Sequence, residues 1–155
     1  DLSGADPSEA LAKALIRVCG DQGPVFAYNA AFERMVIRDL AKRFPSMSAS
    51  LLEILARVVD LLPVAKARYY HPDQHGRWGL KSVLPAACPE LSYDHLDGVA
   101  DGAMAVEAFK EAVAPRTSPE RKSEIERELL AYCHLDTLGL VRLWEVLSER
   151  NGRAE

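Results

Sequence analysis

Pro24-Val25-Phe26-Ala27-Tyr28-Asn29-Ala30-Ala31-Phe32-Glu33 is the stretch that decides the fold. Residues 24–28 form a short, nearly continuous apolar run, which suits a buried strand of a parallel sheet. Asn29 then offers a helix-capping side chain, and the helix that follows is expected to run to about Phe44, ahead of Pro45. Glu33 falls in the first turn of that helix, where a carboxylate is favourable. A strand running straight into a helix with a first-turn carboxylate also builds sites, because open α/β folds place their chemistry at the carboxyl ends of strands. On these residues alone, plain capping and a functional site both remain open.

Working outward, Asp6-Pro7-Ser8-Glu9 reads as a helix start with a capping box, continued by Leu11, Leu15 and Val18 and ended by Gly20. Downstream, residues 48–56 are expected to be helical and 57–61 to form a second short strand. Residues 62–78 read as irregular and rich in aromatics. Helices follow over 80–87 and 101–113, and a linker at 115–119 leads into a long last helix to about residue 150. Two short strands separated by helices imply parallel pairing through a right-handed crossover. The fold class is therefore α/β, two short parallel strands with a predominantly helical remainder. Two strands alone make a poor sheet, so a complete domain would want more of them.

The 155 residues suit one domain, 1–155, with 48% hydrophobic and 27% charged residues, ordinary for a soluble globular chain. No apolar run approaches the ~20 residues that span a bilayer, and no signal peptide opens the chain, so no membrane partner is expected. Cys19, Cys88 and Cys133 form no CxxC pair, which points to a reducing, cytoplasmic setting. A net charge of −4 argues against gripping nucleic acid by bulk electrostatics alone. The chain opens at Asp1 without a methionine, as expected of a processed or excised piece.

Tyr132-Cys133-His134-Leu135-Asp136 lies within the last helix. Positions i and i+4 share a face, so the Tyr132 phenol and the Asp136 carboxylate point the same way. Leu129, Cys133, Leu140, Leu143 and Leu147 form an apolar stripe, with Cys133 expected to be a small buried hydrophobe, and Asp136 interrupts it. A carboxylate on a core-facing stripe is costly unless it is paired or binds a metal. Either an ion pair or a site satisfies that requirement.

Residues 66–81 gather Lys66, Arg68, Arg77 and Lys81 with Tyr69, Tyr70, His71, His75 and Trp78. Cations interleaved with aromatics suit a single-stranded nucleic acid, through phosphate contacts and base stacking. An ordinary loop whose aromatics cover the core is the other reading. Lys81 is the residue here expected to contact substrate. His71 and His75 lack the helix and the cysteine pair that would complete a zinc site.

Taken in order, these motifs resemble the DEDD exonucleases of the ribonuclease H-like superfamily. That family's second motif is Asn-x-x-Phe-Asp, similar to Asn29-Ala30-Ala31-Phe32-Glu33 with Glu in place of Asp. Its third, in the tyrosine subgroup, is Tyr-x-x-x-Asp, similar to Tyr132 through Asp136. Val58-Val59-Asp60-Leu61-Leu62 resembles its second parallel strand, and Trp78-Gly79-Leu80-Lys81-Ser82-Val83-Leu84 a following helix start. Gly102-Ala103-Met104-Ala105 resembles the segment before the last helix. The order and spacing are most similar to a bacterial subgroup of predicted ribonuclease H-like nucleases.

The resemblance implies a metal-dependent 3′–5′ exonuclease acting on single-stranded DNA or RNA ends. Four carboxylates would hold two Mg²⁺ or Mn²⁺ ions about 3.5–4 Å apart. Glu33 and Asp136 would be metal ligands, Tyr132 would orient the attacking water, and Asn29 and Phe32 would support the terminal nucleotide. The family's first motif, Asp-x-Glu, occurs nowhere in the chain. The expectation is thus the C-terminal part of a ribonuclease H-like fold whose N-terminal strands lie upstream, inactive alone. Its first strand would leave an exposed edge that invites self-association. The alternatives are a non-catalytic nuclease-like module binding nucleic acid or protein, and a helical interaction domain with chance motifs.

Overall fold

The computed structural model describes residues 2–151 as a mixed α/β chain, mostly helical, with one sheet of two parallel strands. The chain divides into two compact units. The N-terminal unit is Asp6–Arg68, and the C-terminal unit combines the first five residues with the chain from Tyr69 onward. No helix among the described residues is long and apolar enough to cross a membrane.

The N-terminal unit contains α1 (Ser8–Cys19), β1 (Val25–Ala27), α2 (Ala31–Arg43), α3 (Ser48–Ala56), β2 (Val58–Asp60) and α4 (Leu61–Arg68). Val25, Phe26 and Ala27 pair in parallel with Val58, Val59 and Asp60. No third strand joins this sheet among the described residues. Ile37 and Leu40 of α2, Leu51 and Ile54 of α3 and Ala12 of α1 bury themselves against Ala27 and Val58. Arg57 staples the turn between α1 and β1 by donating to the carbonyls of Cys19, Gly20, Gln22 and Gly23. One guanidinium thereby satisfies four backbone acceptors that the tight turn leaves without helix or strand partners.

Three local expectations need correction here. Glu9 pairs with Lys13 at 2.7 Å rather than closing a capping box, and Asp6 instead accepts from the Ser8 amide at 3.0 Å. Asn29 does not cap α2: it takes a left-handed conformation, φ 60°, which asparagine tolerates better than most residues. Residues 62–68, read as irregular, belong to α4, which takes in Leu61 as well, because Pro63 sits in the first turn where no amide is required.

The C-terminal unit contains α5 (Leu80–Ala87), α6 (Gly102–Val113) and the 33-residue α7 (Pro119–Asn151). Asp101 caps α6 by accepting from the Met104 amide at 2.8 Å. Arg121 of α7 holds α6 through Glu111 at 2.8 Å, with Glu124 and Glu128 on its own helix. α5 crosses α7 at Gly139, where a Cβ would lie 2.5 Å from Leu84 Cδ2. Leu143 and Leu147 are buried as the stripe requires. Cys133 is exposed, contrary to expectation, because it faces the groove between α6 and α7 rather than α5.

Two outcomes follow for stability. The Asp60 carboxylate accepts from the Asn29, Ala30 and Leu62 amides, so Asp60→Ala leaves three amides without their acceptor and is expected to cost about 1–3 kcal/mol in chemical denaturation. An unchanged denaturation midpoint would show that Asp60 does not hold the strand exits. Gly139→Ala is expected to destabilise by roughly 1–3 kcal/mol through overpacking, and Leu84→Ala in the same chain to recover part of that loss. Strict additivity of the two substitutions would show that the helices do not meet there.

Candidate functional site

The residues expected to carry chemistry fall into two groups, one in each unit. In the N-terminal unit, β1 ends two residues before Asn29, and the chain turns into α2 under the control of Asp60 at the end of β2. Asp60 Oδ1 accepts from the Asn29 amide at 2.8 Å and the Leu62 amide at 3.0 Å, and Oδ2 accepts from the Ala30 amide at 3.0 Å. One carboxylate thus fixes the exits of both strands. Burial, followed by the charge of Asp60, pushes the neighbouring Tyr28 phenol up to about 12.

This turn delivers Phe32 and Glu33 to the first turn of α2, both exposed. They border an apolar groove of about 240 Å³ lined also by Leu11, Leu15, Val25 and Phe26. Phe32 is 66% exposed, so a large apolar residue stands beside a solvated carboxylate. Sequence reasoning singled out Asn29, Phe32 and Glu33 but not Asp60, which organises them. The legible signal was an acidic residue ending a strand and preceding a helix.

In the C-terminal unit, Lys81, Tyr132 and Asp136 come together with Tyr93, which sequence reasoning missed. The crossing at Gly139 sets the α5 face bearing Lys81 and Leu84 against the α7 face bearing Tyr132, Asp136 and Gly139. The Tyr93 hydroxyl donates to Asp136 Oδ1 at 2.5 Å. The Tyr93 and Tyr132 rings lie 6.2 Å apart, tilted by 52°. Lys81 Nζ sits 5.2 Å from the Tyr93 ring centre and 5.6 Å from that of Tyr132, within the roughly 6 Å range of cation–π attraction. Lys81 Nζ also donates to the Ala100 carbonyl.

The burden of Asp136 on an apolar stripe is therefore met by the Tyr93 phenol, and among the described residues no arginine pairs with it. Burial raises Tyr93, and its hydrogen bond to Asp136 and that residue's charge raise it further. Tyr132 is pushed up to about 12, first by burial and then by the charge of Asp136 and a hydrogen bond to it. Both phenols stay protonated well above neutrality and serve as donors around the carboxylate. Tyr93 sits in a short turn, Tyr93–His95, within a loop that carries no periodic signal. Of the basic and aromatic residues at 66–81, Tyr69 is buried and donates to the Ala86 carbonyl at 2.8 Å, while Tyr70 is exposed. His71 Nδ1 accepts from the Asp73 amide, which makes it a local cap.

The raised Tyr132 has a measurable consequence. An unfolded tyrosine ionises near its ordinary value of 10.0, whereas the folded one holds its proton to about 12. The stability gained from keeping this phenol neutral is present below pH 10 and is lost as pH climbs from about 10 toward 12. Asp136→Asn is expected to move the Tyr132 titration back toward its ordinary value, read by tyrosinate absorbance against a Tyr132→Phe control. An identical titration in both proteins would place Asp136 outside the reach of Tyr132.

No curated protein and no solved structure matches this chain. The profile of the family described as Domain of unknown function (DUF2779) matches residues 1–79, just over half of the sequence. The matched segment takes in the whole N-terminal unit, including Asn29, Phe32 and Glu33, and stops immediately before α5. The chain belongs to the DUF2779 family.

Proposed function

We propose that this chain is part of a metal-dependent nuclease, a 3′–5′ exonuclease of the ribonuclease H-like type acting on single-stranded DNA or RNA. The observation that carries the reading is the cluster of Lys81, Tyr93, Tyr132 and Asp136 in the C-terminal unit. It sets a carboxylate, a phenol one turn away and a cation in one place, the residue types that a phosphodiester-cleaving site uses. Tyr132 is the residue to orient a nucleophile, Lys81 to meet a phosphate, and Asp136 to serve as a ligand. The resemblance assigns to Glu33 the role of a second carboxylate, and to Asn29 and Phe32 the support of a terminal nucleotide.

The ions implied are Mg²⁺ or Mn²⁺, and the donor set on this chain does not fill their coordination. Among the described residues no three His, Cys, Asp or Glu side chains gather to hold an ion. Asp136 Oδ1 is already an acceptor for Tyr93. Mg²⁺ demands near-octahedral oxygen ligation, so two carboxylates alone bind it weakly. The resemblance assigns the remaining ligands to an Asp-x-Glu that residues 1–155 do not contain.

The test is degradation of a 3′-labelled single strand, with Mg²⁺ or Mn²⁺, by the native gene product that carries this domain. Metal-dependent shortening is expected. Losing a residue outside the ligand shell of a metal site already costs about 10–100-fold, so Asp136→Asn should reduce the rate by at least ~100-fold. Residues 1–155 by themselves are expected to show no activity, and Asp136-dependent cleavage by them would overturn that expectation. A folded, metal-supplied native protein without activity would replace the nuclease with a nuclease-like module that binds nucleic acid or protein.

A further inference from the structure

A cavity of about 330 Å³ opens in the C-terminal unit beside the start of α5, against the turn at Tyr93–His95. Its walls include Lys81, Pro85, Ser92, Tyr93, Asp94 and Leu96. The volume is at the low end of ligand-binding cavities, roughly 300–1,000 Å³, which suits a sugar phosphate better than a large organic ligand. The lining is chemically divided. Lys81, an exposed residue, brings an ammonium, Pro85 and Leu96 bring apolar surface, and Ser92 and Asp94 bring a hydroxyl and a carboxylate.

Ser92 and Asp94 are fixed on each other. The Ser92 hydroxyl lies 3.1 Å from Asp94 Oδ2, and the Asp94 amide donates to Ser92 Oγ at 3.2 Å. An ionised carboxylate accepts at both oxygens, so it can take the hydroxyls of a vicinal diol. That is how a single acidic residue recognises a ribose in dinucleotide-binding folds. Lys81 feels the charge of Asp101, whose carboxylate accepts from the Met104 amide, and its ammonium donates to the Ala100 carbonyl while lying over the Tyr93 ring. Another wall is Tyr93, whose hydroxyl holds Asp136. A ligand in the cavity therefore rests on the residue that holds the candidate catalytic carboxylate.

We infer that this cavity takes the ribose phosphate of a ribonucleotide, with Lys81 on the phosphate and Asp94 and Ser92 on the ribose hydroxyls, so that RNA is preferred over DNA. The inference rests on the nucleic-acid reading above and adds the sugar that reading leaves open. A site built to hydrogen-bond a hydroxyl discriminates strongly against the analogue that lacks it, because its own polar groups are then left unpaired. The 2′-hydroxyl is the group that separates the two substrates.

The experiment is a calorimetric titration of the 155-residue chain with adenosine 5′-monophosphate and its 2′-deoxy analogue, with chelator present. It reads neither a metal nor turnover. The ribonucleotide is expected to bind at least about tenfold more tightly, the worth of one well-made hydrogen bond. Asp94→Ala and Ser92→Ala, each checked for an unchanged thermal melt, should bring that ratio toward one. Lys81→Gln should weaken both ligands alike. Equal affinities, no saturable binding by either ligand, or a ratio that survives Asp94→Ala would overturn the inference. Discrimination that persists while the native protein cleaves nothing would remove the nuclease and leave the ribose site. Cleavage of RNA and DNA at equal rates, with equal nucleotide affinities, would remove the ribose site alone.

Discussion

A parallel ladder of three residues per strand cannot hold itself together, and the N-terminal unit depends on the carboxylate of Asp60 to close it. Its two oxygens collect amides from the exits of both strands, so the strand register and the departure of α2 and α4 are set at one point. Arg57 works at the opposite end, gathering the carbonyls of the turn that leads into β1. The short sheet is thus clamped at one end by an anion on amides and at the other by a cation on carbonyls. Each clamp carries the charge that the local backbone dipoles favour, and between them lies the apolar layer of Leu51, Ile54 and Val58.

The C-terminal unit solves a different problem, that of a carboxylate on a helix face needed for packing. Gly139 lets α5 approach α7 closely enough for Lys81 to lie over two tyrosines, one from the facing loop and one from α7. Ammonium, aromatic faces, phenolic hydroxyl and carboxylate then form a chain of contacts in which Asp136 is hydrogen-bonded by Tyr93. A carboxylate held by phenols keeps more of its negative character for a ligand than one neutralised by arginine. That property is what the proposed chemistry at Asp136 requires.

Much of this was legible in the residues. The two strands and α3, α5, α6 and α7 follow from apolar runs, caps and proline positions, and Asp101 caps α6 where the pattern placed a helix start. The shared face of Tyr132 and Asp136 needed only helical spacing. What the residues did not disclose depends on partners distant in sequence. Asn29 looked like a cap because its side chain can be one, yet Asp60, some thirty residues away, supplies the acceptor. Tyr93 carries no local pattern, since its role exists only once α7 brings Asp136 to it, forty-three residues along the chain. Cys133 was misjudged because a helix packed on two sides leaves a groove between the contacts, and the stripe rule assumes a single partner.

The exposed Cys133 has a practical consequence. Cys88 is buried, with its thiol pushed up by that burial, and Cys19 is half-buried, whereas Cys133 faces solvent one residue from Tyr132. Thiol-directed reagents discriminate by access, so they reach this position first. A fluorophore can be seated there without engineering new cysteines or removing old ones. It would report on the tyrosine–lysine cluster from the next residue of the same helix, beside the carboxylate rather than on it.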